Sequence, residues 1–272
     1  MMTTVSHASR ASRALRLAFH GGGLSYRALF NWTTPPMFIG TLLVGPLFQI
    51  FFFVHVGRSL HVADDRFYLL GNAVLATSMP CVYGAIMAVA NERRFGTLGA
   101  VLLSPRSRGL IWGGRVLPYA VNGLAVMTFM MLVGALVLGL TLPPSTLLGL
   151  AQVFVVAAMS CALFGLALGA LAVRIRDVYV ISNAAFTLLI LFSGANLPPE
   201  SMPGWMNAIG SFLPLHHAIE ALRALFAGAS FGEVWSALVL EVAVALGYAA
   251  LAYGLLRFFE WRSRANAALD VM

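Results

Sequence analysis

The chain has 272 residues, of which 60% are hydrophobic and only 10% charged, with a formal net charge of +7 and a mean hydropathy of +0.87. Soluble domains carry about 25% charged residues, so this composition excludes a chain that covers its own surface in water and points to a polytopic membrane protein. All 17 basic residues are arginine; without a lysine there is no phosphate-binding loop of the Gly-Lys-Ser/Thr kind, and basic membrane loops explain the high pI at least as well as nucleic acid does.

The first 35 residues hold "RASRALRLAFHGGGLSYRALFNW", which sets Arg10, Arg13 and Arg16 at three-residue spacing, then Leu15, Leu17 and Phe19, interrupted by Gly21–Gly23. The pattern predicts an interfacial helix along the inner leaflet, with arginines at anionic headgroups. A bilayer crossing needs roughly 20 apolar residues. That ruler predicts six spans, near 36–56, 68–90, 116–140, 146–173, 178–195 and 234–257, the fifth of them short. The first apolar run starts late and is long, so no cleaved signal peptide is expected.

Four regions that alternate along the chain hold 14 of the 17 arginines: the N-terminal tail, the 91–115 loop, the "RIRD" turn with Arg174 and Arg176, and the tail from Arg257. The other loops hold Arg58, Arg66 and Arg223, outnumbered by Asp64, Asp65, Glu200, Glu220 and Glu233. The positive-inside rule then puts both termini in the cytoplasm. On that cytoplasmic side lies "NERRFGTLGAVLLSPRSRGLIWGGRVLP", in which Leu98, Val101 and Leu102 recur at i, i+3, i+4 just after Arg93 and Arg94. A short amphipathic helix of this kind either rests on lipid or fits a groove in a partner.

On the opposite side, "LFSGANLPPESMPGWMNAIGSFLPLHHAIEALR" separates two apolar spans. Pro198 and Pro199 stop the fifth span, and Glu200 to Leu213 is predicted as a short helix with Pro203 in its first turn. Pro214 restarts the chain into a second helix closed by Gly228, with Ile219, Leu222, Leu225 and Phe226 on one face and Glu220 and Arg223 on another. Two helices dipping back into the outer leaflet fit this pattern, as does an amphipathic hairpin lying on the lipid.

Within the spans, Glu241 is the acid placed furthest inside, about 9–10 Å from the outer end. It is expected to be protonated, or to pair with Arg223 or with a partner chain, because an unpaired charge there is costly. Gln49, Asn72, Asn122, Gln152 and Asn183 read as interhelical hydrogen-bond groups, and Gly165 and Gly169 as a close helix contact. Met127, Met130 and Met131 read as lipid-facing or as core filler, and Cys81 and Cys161 as free buried thiols. His216 and His217 are adjacent and on a helix point different ways, which predicts local capping or packing rather than a joint ligand set. No metal site is expected.

"SGANLPPESMPGW" followed by "LPLHHAIEALR" resembles the signature before the last span of ABC-2 type transporter permeases, the subgroup of drug, lipid and polysaccharide exporters that includes daunorubicin-resistance-like and nodulation-factor permeases. The resemblance covers nearly the whole chain. It implies one ABC-2 transmembrane domain over 1–272: a cytoplasmic N-terminal helix (1–35), a six-span all-α bundle (36–257) and a cytoplasmic tail (258–272). It also implies a coupling helix that docks on an ATPase subunit, here carried by Glu92, Arg93, Arg94, Gly96, Thr97, Leu98, Ser104 and Pro105. Arg94 and Gly99 depart from the family, standing where acids are common.

The external re-entrant segment implied by the resemblance comprises Pro198, Pro199, Glu200, Pro203, Trp205, Pro214, Glu220 and Arg223. Implied partners are two ABC ATPase subunits carrying the ATP and Mg2+, a second permease copy or related permease meeting spans two and five, and membrane lipid. The chain is then no enzyme itself but a permease subunit of an exporter in the bacterial inner membrane, moving an amphipathic small molecule, lipid-linked compound or peptide. A secondary transporter is the alternative, but no internal repeat is visible and one intramembrane acid is little machinery for ion coupling. An intramembrane protease would need a His deep in a neighbouring span beside Ser193, and an importer would carry its docking motif nearer the C-terminus.

Overall fold

The computed structural model describes residues 34–97, 108–172 and 177–265, together with Gly23, Gly99 and Val101. The predicted N-terminal interfacial helix, Leu98, Ser104, Pro105, Arg174, Arg176 and the tail after Ala265 lie outside the described residues.

Helix α1 (Pro35–Leu60) begins with two prolines in its first turn, where a missing N–H costs nothing. It widens into a π-helical stretch at Ile39–Val44, directly before Pro46. A proline there removes an i→i−4 bond, and a π turn is one way the backbone accommodates the loss. His61 ends α1 in the left-handed conformation, with φ 53°. Asp64 then caps α2 (Asp65–Arg94) by accepting from the Phe67 amide at 2.9 Å, and an Arg58–Asp65 ion pair closes the turn. Helix α2 carries its own π-helical stretch at Met79–Tyr83, around Pro80.

After α2 come α3 (Arg108–Leu138), a 3-10 turn at Pro144–Thr146, α4 (Leu147–Ala172) and α5 (Val178–Phe192). Two short helices, α6 (Gly204–Phe212) and α7 (His216–Phe226), precede the long α8 (Phe231–Ala265). Five of these are long and apolar enough to cross a membrane: α1, α2, and the segments Ile111–Leu138, Pro144–Ala172 and Gly232–Arg262. The fifth predicted span is the exception. At 15 residues, α5 is about 22 Å long, against the roughly 30 Å of a hydrocarbon core.

Burial separates the centre of the bundle from its rim. In the most apolar stretch of each helix, 78% of α2 and 72% of α4 is buried, against 17% of α1 and 22% of α8. Glycines allow the close approach at this centre. A Cβ on Gly165 would lie 2.8 Å from Val82 Cα and 2.9 Å from the Cys81 carbonyl, and one on Gly123 would lie 2.3 Å from Thr77 Oγ1. Both sites face the π-helical stretch of α2, so its wider turn packs against backbone on two sides. Met127, Met130 and Met131 fill the same core, and Cys81 and Cys161 are free and buried there.

Gly165→Leu is therefore expected to force α4 off α2 and lower the thermal midpoint of the purified chain by several degrees, since overpacking costs about 1–3 kcal/mol or more. Gly247→Leu on α8, where nothing lies within 4 Å of the new Cβ, should leave the midpoint nearly unchanged. Equal midpoints for the two variants would disprove the contact.

Candidate functional site

The two ends of the bundle are built differently. At one end, the turn after α5 is stitched to three helices. Gly194 takes φ +78°, and the next residues, Ala195 and Asn196, run against α2, where a Cβ on Gly71 would fall 2.4 Å from the Ala195 carbonyl. Asn72 donates to Asn196 Oδ1 at 2.8 Å and accepts from Gln49 on α1 at 3.1 Å. The expectation that Gln49 and Asn72 join helices holds, whereas Asn183 is exposed on α5 and Gln152 lines an apolar groove.

Arg223 of α7 locks the same turn. It donates to the carbonyls of Gly194 at 2.9 Å, Ala195 at 3.1 Å and Phe67 at 3.3 Å, with its guanidinium 3.5 Å from the centre of the Phe67 ring. Burial pushes its pKa down to about 10. The site thus joins α2, the post-α5 turn and α7 through one planar donor group.

Between α5 and α8 the chain folds as a hairpin. A 3-10 turn at Pro199–Ser201 follows Pro198, and α6 starts at Gly204 with Pro203 as its cap, so the helix expected from Glu200 begins four residues later. The cause is local: Met202 and Pro203 are extended, as the residue before a proline and a proline at the N-cap tend to be. Asn207 donates to the Pro199 carbonyl at 2.9 Å, and Trp205 stands edge-on to Phe192 while remaining exposed. Glu200 is exposed and Pro214 is buried at the hairpin's apex.

That apex reaches deep into the bundle. Tyr248 of α8 donates to the Phe212 carbonyl at 2.9 Å, and Tyr248 lies about 26 Å along α8 from its start. Glu241, fully buried, accepts from the backbone amides of Leu215 at 2.9 Å and Ala218 at 3.2 Å. Leu215 is the α7 N-cap, left-handed at φ 76°, and its side chain caps nothing. A carboxylate from another helix therefore supplies the cap, at the positive end of the α7 dipole. Of the alternatives expected for Glu241, the pairing with Arg223 does not occur: backbone amides hold the acid, and carbonyls hold the arginine.

His216 and His217 also depart from expectation. Both turn to Glu220, with His216 Nε2 at 3.5 Å and His217 Nδ1 at 3.1 Å from its two oxygens. These bonds, from His216 first and His217 second, hold the Glu220 carboxyl down at about 2, and Glu220 in turn raises His217. The spacing i, i+4 and i, i+3 to one acid was the available signal, and it outweighs the divergence of neighbouring side chains. Gly228, at φ +78°, closes α7, with Gly228 and Ala229 donating to the carbonyls of Leu225 and Ala224. This is the predicted helix stop.

At the arginine-rich end, α2 stops in the same way. Gly96 takes φ +68°, with Gly96 donating to Arg93 and Thr97 to Glu92. Glu92 does not point outward. It pairs with Arg115 on α3 and accepts from Thr97 Oγ1 at 2.6 Å, and Arg115 also lies over the Trp112 ring. Glu92 thus clamps the base of the loop, leaving Arg94, Gly96 and Thr97 exposed and Arg93 half-buried.

The transmembrane-domain model described as "ABC-2 type transporter" matches residues 25–227, most of the chain and both ends of this bundle. The chain belongs to the ABC-2 type transporter family. It is 28% identical over 269 residues to the daunorubicin resistance ABC transporter permease protein DrrB1 of Streptomyces coeruleorubidus, covering 94% of this chain and 92% of that one. Similarity to the putative transport permease YvfS of Bacillus subtilis is 27% over 210 residues, 74% of this chain and 82% of YvfS. The probable multidrug ABC transporter permease YbhS of Escherichia coli K12 is 27% identical over 199 residues, 71% of this chain, and the match spans only about half of YbhS, 51%. As an ABC-2 protein with several apolar helices long enough to span, the chain is a multi-pass protein of the bacterial inner membrane. The ABC-2 match ends at residue 227, so the α7 stop at Gly228 also marks its limit.

Proposed function

We propose that this chain is the permease subunit of an ATP-driven exporter, crossing the membrane six times with both termini cytoplasmic. The α6–α7 hairpin, whose apex meets Glu241 and Tyr248 well down α8, carries the reading: it is a re-entrant element closing the outer end of a transport path. Irregular backbone at that depth is tolerated where it packs on protein. In this scheme α5 crosses as the fifth of the six spans, short because the hairpin completes the outer half of its layer.

Two ATPase subunits dock at the opposite end, on Arg93, Arg94, Gly96, Thr97 and the segment through Leu98, Ser104 and Pro105, with Glu92 fixing the base of that segment. ATP and Mg2+ belong to those subunits. A second permease, identical or related, lies along α5. There Tyr179, Asn183 and Thr187 form an exposed polar stripe at four-residue spacing, and polar side chains on a membrane helix favour a protein neighbour. With 78% of its apolar stretch buried in its own chain, α2 has little face to share, so α5 carries the contact expected of both. The substrate is an amphipathic small molecule, a lipid-linked compound or a peptide. An apolar groove of about 560 Å³ between α4 and α8, lined by Val155, Trp235, Leu238 and Gln152 among others, suits an apolar moiety of such a molecule.

The experiment is co-purification with the ATPase encoded beside the gene, followed by ATPase and export assays in vesicles. Gly96→Val places a β-branched residue at φ +68°, which costs about 1–2 kcal/mol. The docked loop should lose roughly tenfold in population, and ATPase stimulation should fall in proportion while the bundle stays monodisperse. Full coupling in that variant removes the docking assignment. Purification without an ATPase, together with transport driven by an ion gradient, establishes the secondary transporter instead.

A further inference from the structure

We propose that His216, His217 and Glu220 form a binding site for a divalent transition metal of the Zn2+ type, set into the first turn of α7. Each offers one ligand atom, and the three atoms lie within 4.8 Å of one another. Each ring nitrogen faces a different oxygen of the Glu220 carboxylate, His216 Nε2 at 3.5 Å and His217 Nδ1 at 3.1 Å, so the cluster offers the imidazole and carboxylate ligands that zinc takes. The rings stand nearly perpendicular at 85°, with centroids 5.0 Å apart, so the nitrogens approach Glu220 from two directions.

A supporting contact is on the far side of His217. Its Nε2 lies 3.1 Å from the Ser211 carbonyl. A carbonyl only accepts, so Nε2 carries a hydrogen and is not free to ligate, which leaves Nδ1 to face the Glu220 carboxylate at 3.1 Å. A second ring proton fills that gap in the metal-free protein, and a metal would displace it to take the Nδ1 lone pair. Metal-ligating histidines are oriented in just this manner, donating their other N–H to a backbone carbonyl. The Nδ1 of His216 is buried with no hydrogen-bond partner, which leaves Nε2, facing Glu220, as that ring's polar contact. The histidines are buried while the Glu220 side chain is 43% exposed, giving an ion a way in. A bound metal would tie the end of α6, through Ser211, to the start of α7. Only the placement of the site on the external face rests on the function proposed above; metal binding itself does not.

The test uses the full chain without a polyhistidine tag, in nanodiscs, stripped with EDTA and titrated with Zn2+ against a chromophoric chelator. One Zn2+ per chain is expected, and Co2+ in its place should give the intense visible bands of a four-coordinate site. Glu220→Gln and His217→Gln should each weaken binding roughly tenfold or more, while the His55→Gln/His61→Gln double variant should bind as the wild type does. Equal Zn2+ affinity in His216→Gln/His217→Gln overturns the site. So does a wild-type chain that binds no Zn2+, which would leave a proton in the gap. Should the histidine variants fail to fold, the wild-type Co2+ spectrum still decides, since weak octahedral bands or none exclude this ligand set. Loss of ATP-driven export with Zn2+ binding intact would sink the exporter reading and leave the metal site standing.

Discussion

Arg223→Ala is expected to lower the thermal midpoint of the purified chain by on the order of 10 °C, measured by size-exclusion survival after heating in detergent. The side chain makes three hydrogen bonds to carbonyls that belong to two separate segments, the post-α5 turn and the start of α2. Hydrogen bonds from a charged donor contribute about 1.5–3 kcal/mol each and are not fully additive, so a loss of about 4–6 kcal/mol follows, with the contact on the Phe67 ring adding to it. The carbonyls of Gly194 and Ala195 would lose this donor in a buried turn. Arg223→Lys is the informative partner. An ammonium is a compact donor on a flexible stem, without the fork that reaches several carbonyls at once. It should recover less than half of the loss. A lysine variant as stable as the wild type would mean that only charge mattered, and the latch would have to be abandoned.

The reach of these contacts decides what could be read from the sequence. Hydropathy located the apolar helices, with ends displaced by as much as eight residues at Arg108 and Ala265, because a bilayer crossing is a local property of about 20 consecutive side chains. One stop was legible for the same reason: Gly228 ends α7 through its own backbone. The stop expected from Pro198 and Pro199 comes earlier, because α5 ends at Phe192 and Gly194 turns left-handed at φ +78°. Arg223 and Glu241 were singled out as polar groups in apolar surroundings, but their partners were not. Arg223 reaches carbonyls 28, 29 and 156 positions away, and Glu241 caps an amide 26 positions away. Backbone carbonyls and amides have no residue-type signature, so no spacing rule points to them. The partner of Glu92 was hidden for a related reason. The motif it belongs to is local, but Arg115 comes beside it only when α3 returns antiparallel. The starts of π-helical turns were equally hidden, although Pro46 and Pro80 mark their neighbourhoods.

The second large effect is expected at Glu241, and the order of three side chains tests what the acid does. Each of its oxygens takes a different amide, Leu215 on one and Ala218 on the other. Glu241→Leu leaves two buried N–H groups without acceptors, at about 1–3 kcal/mol each, and removes the negative charge from the α7 N-terminus. Glu241→Gln keeps one oxygen but turns an NH2 group toward the second amide, so one donor is orphaned and faces another donor. The midpoints should therefore fall in the order Glu, Gln, Leu, with glutamine well below the wild type. An acid that served to carry a coupling ion would behave otherwise. Glutamine would then preserve the fold and the midpoint and abolish transport alone. Limited proteolysis across Leu213–Leu215 supplies a second reading, because the cap holds the hairpin apex against α8. Faster cleavage there in both variants, leucine ahead of glutamine, is the result that a capping role requires. A glutamine variant with wild-type midpoint and wild-type cleavage would move Glu241 from the scaffold of the hairpin to the chemistry of transport.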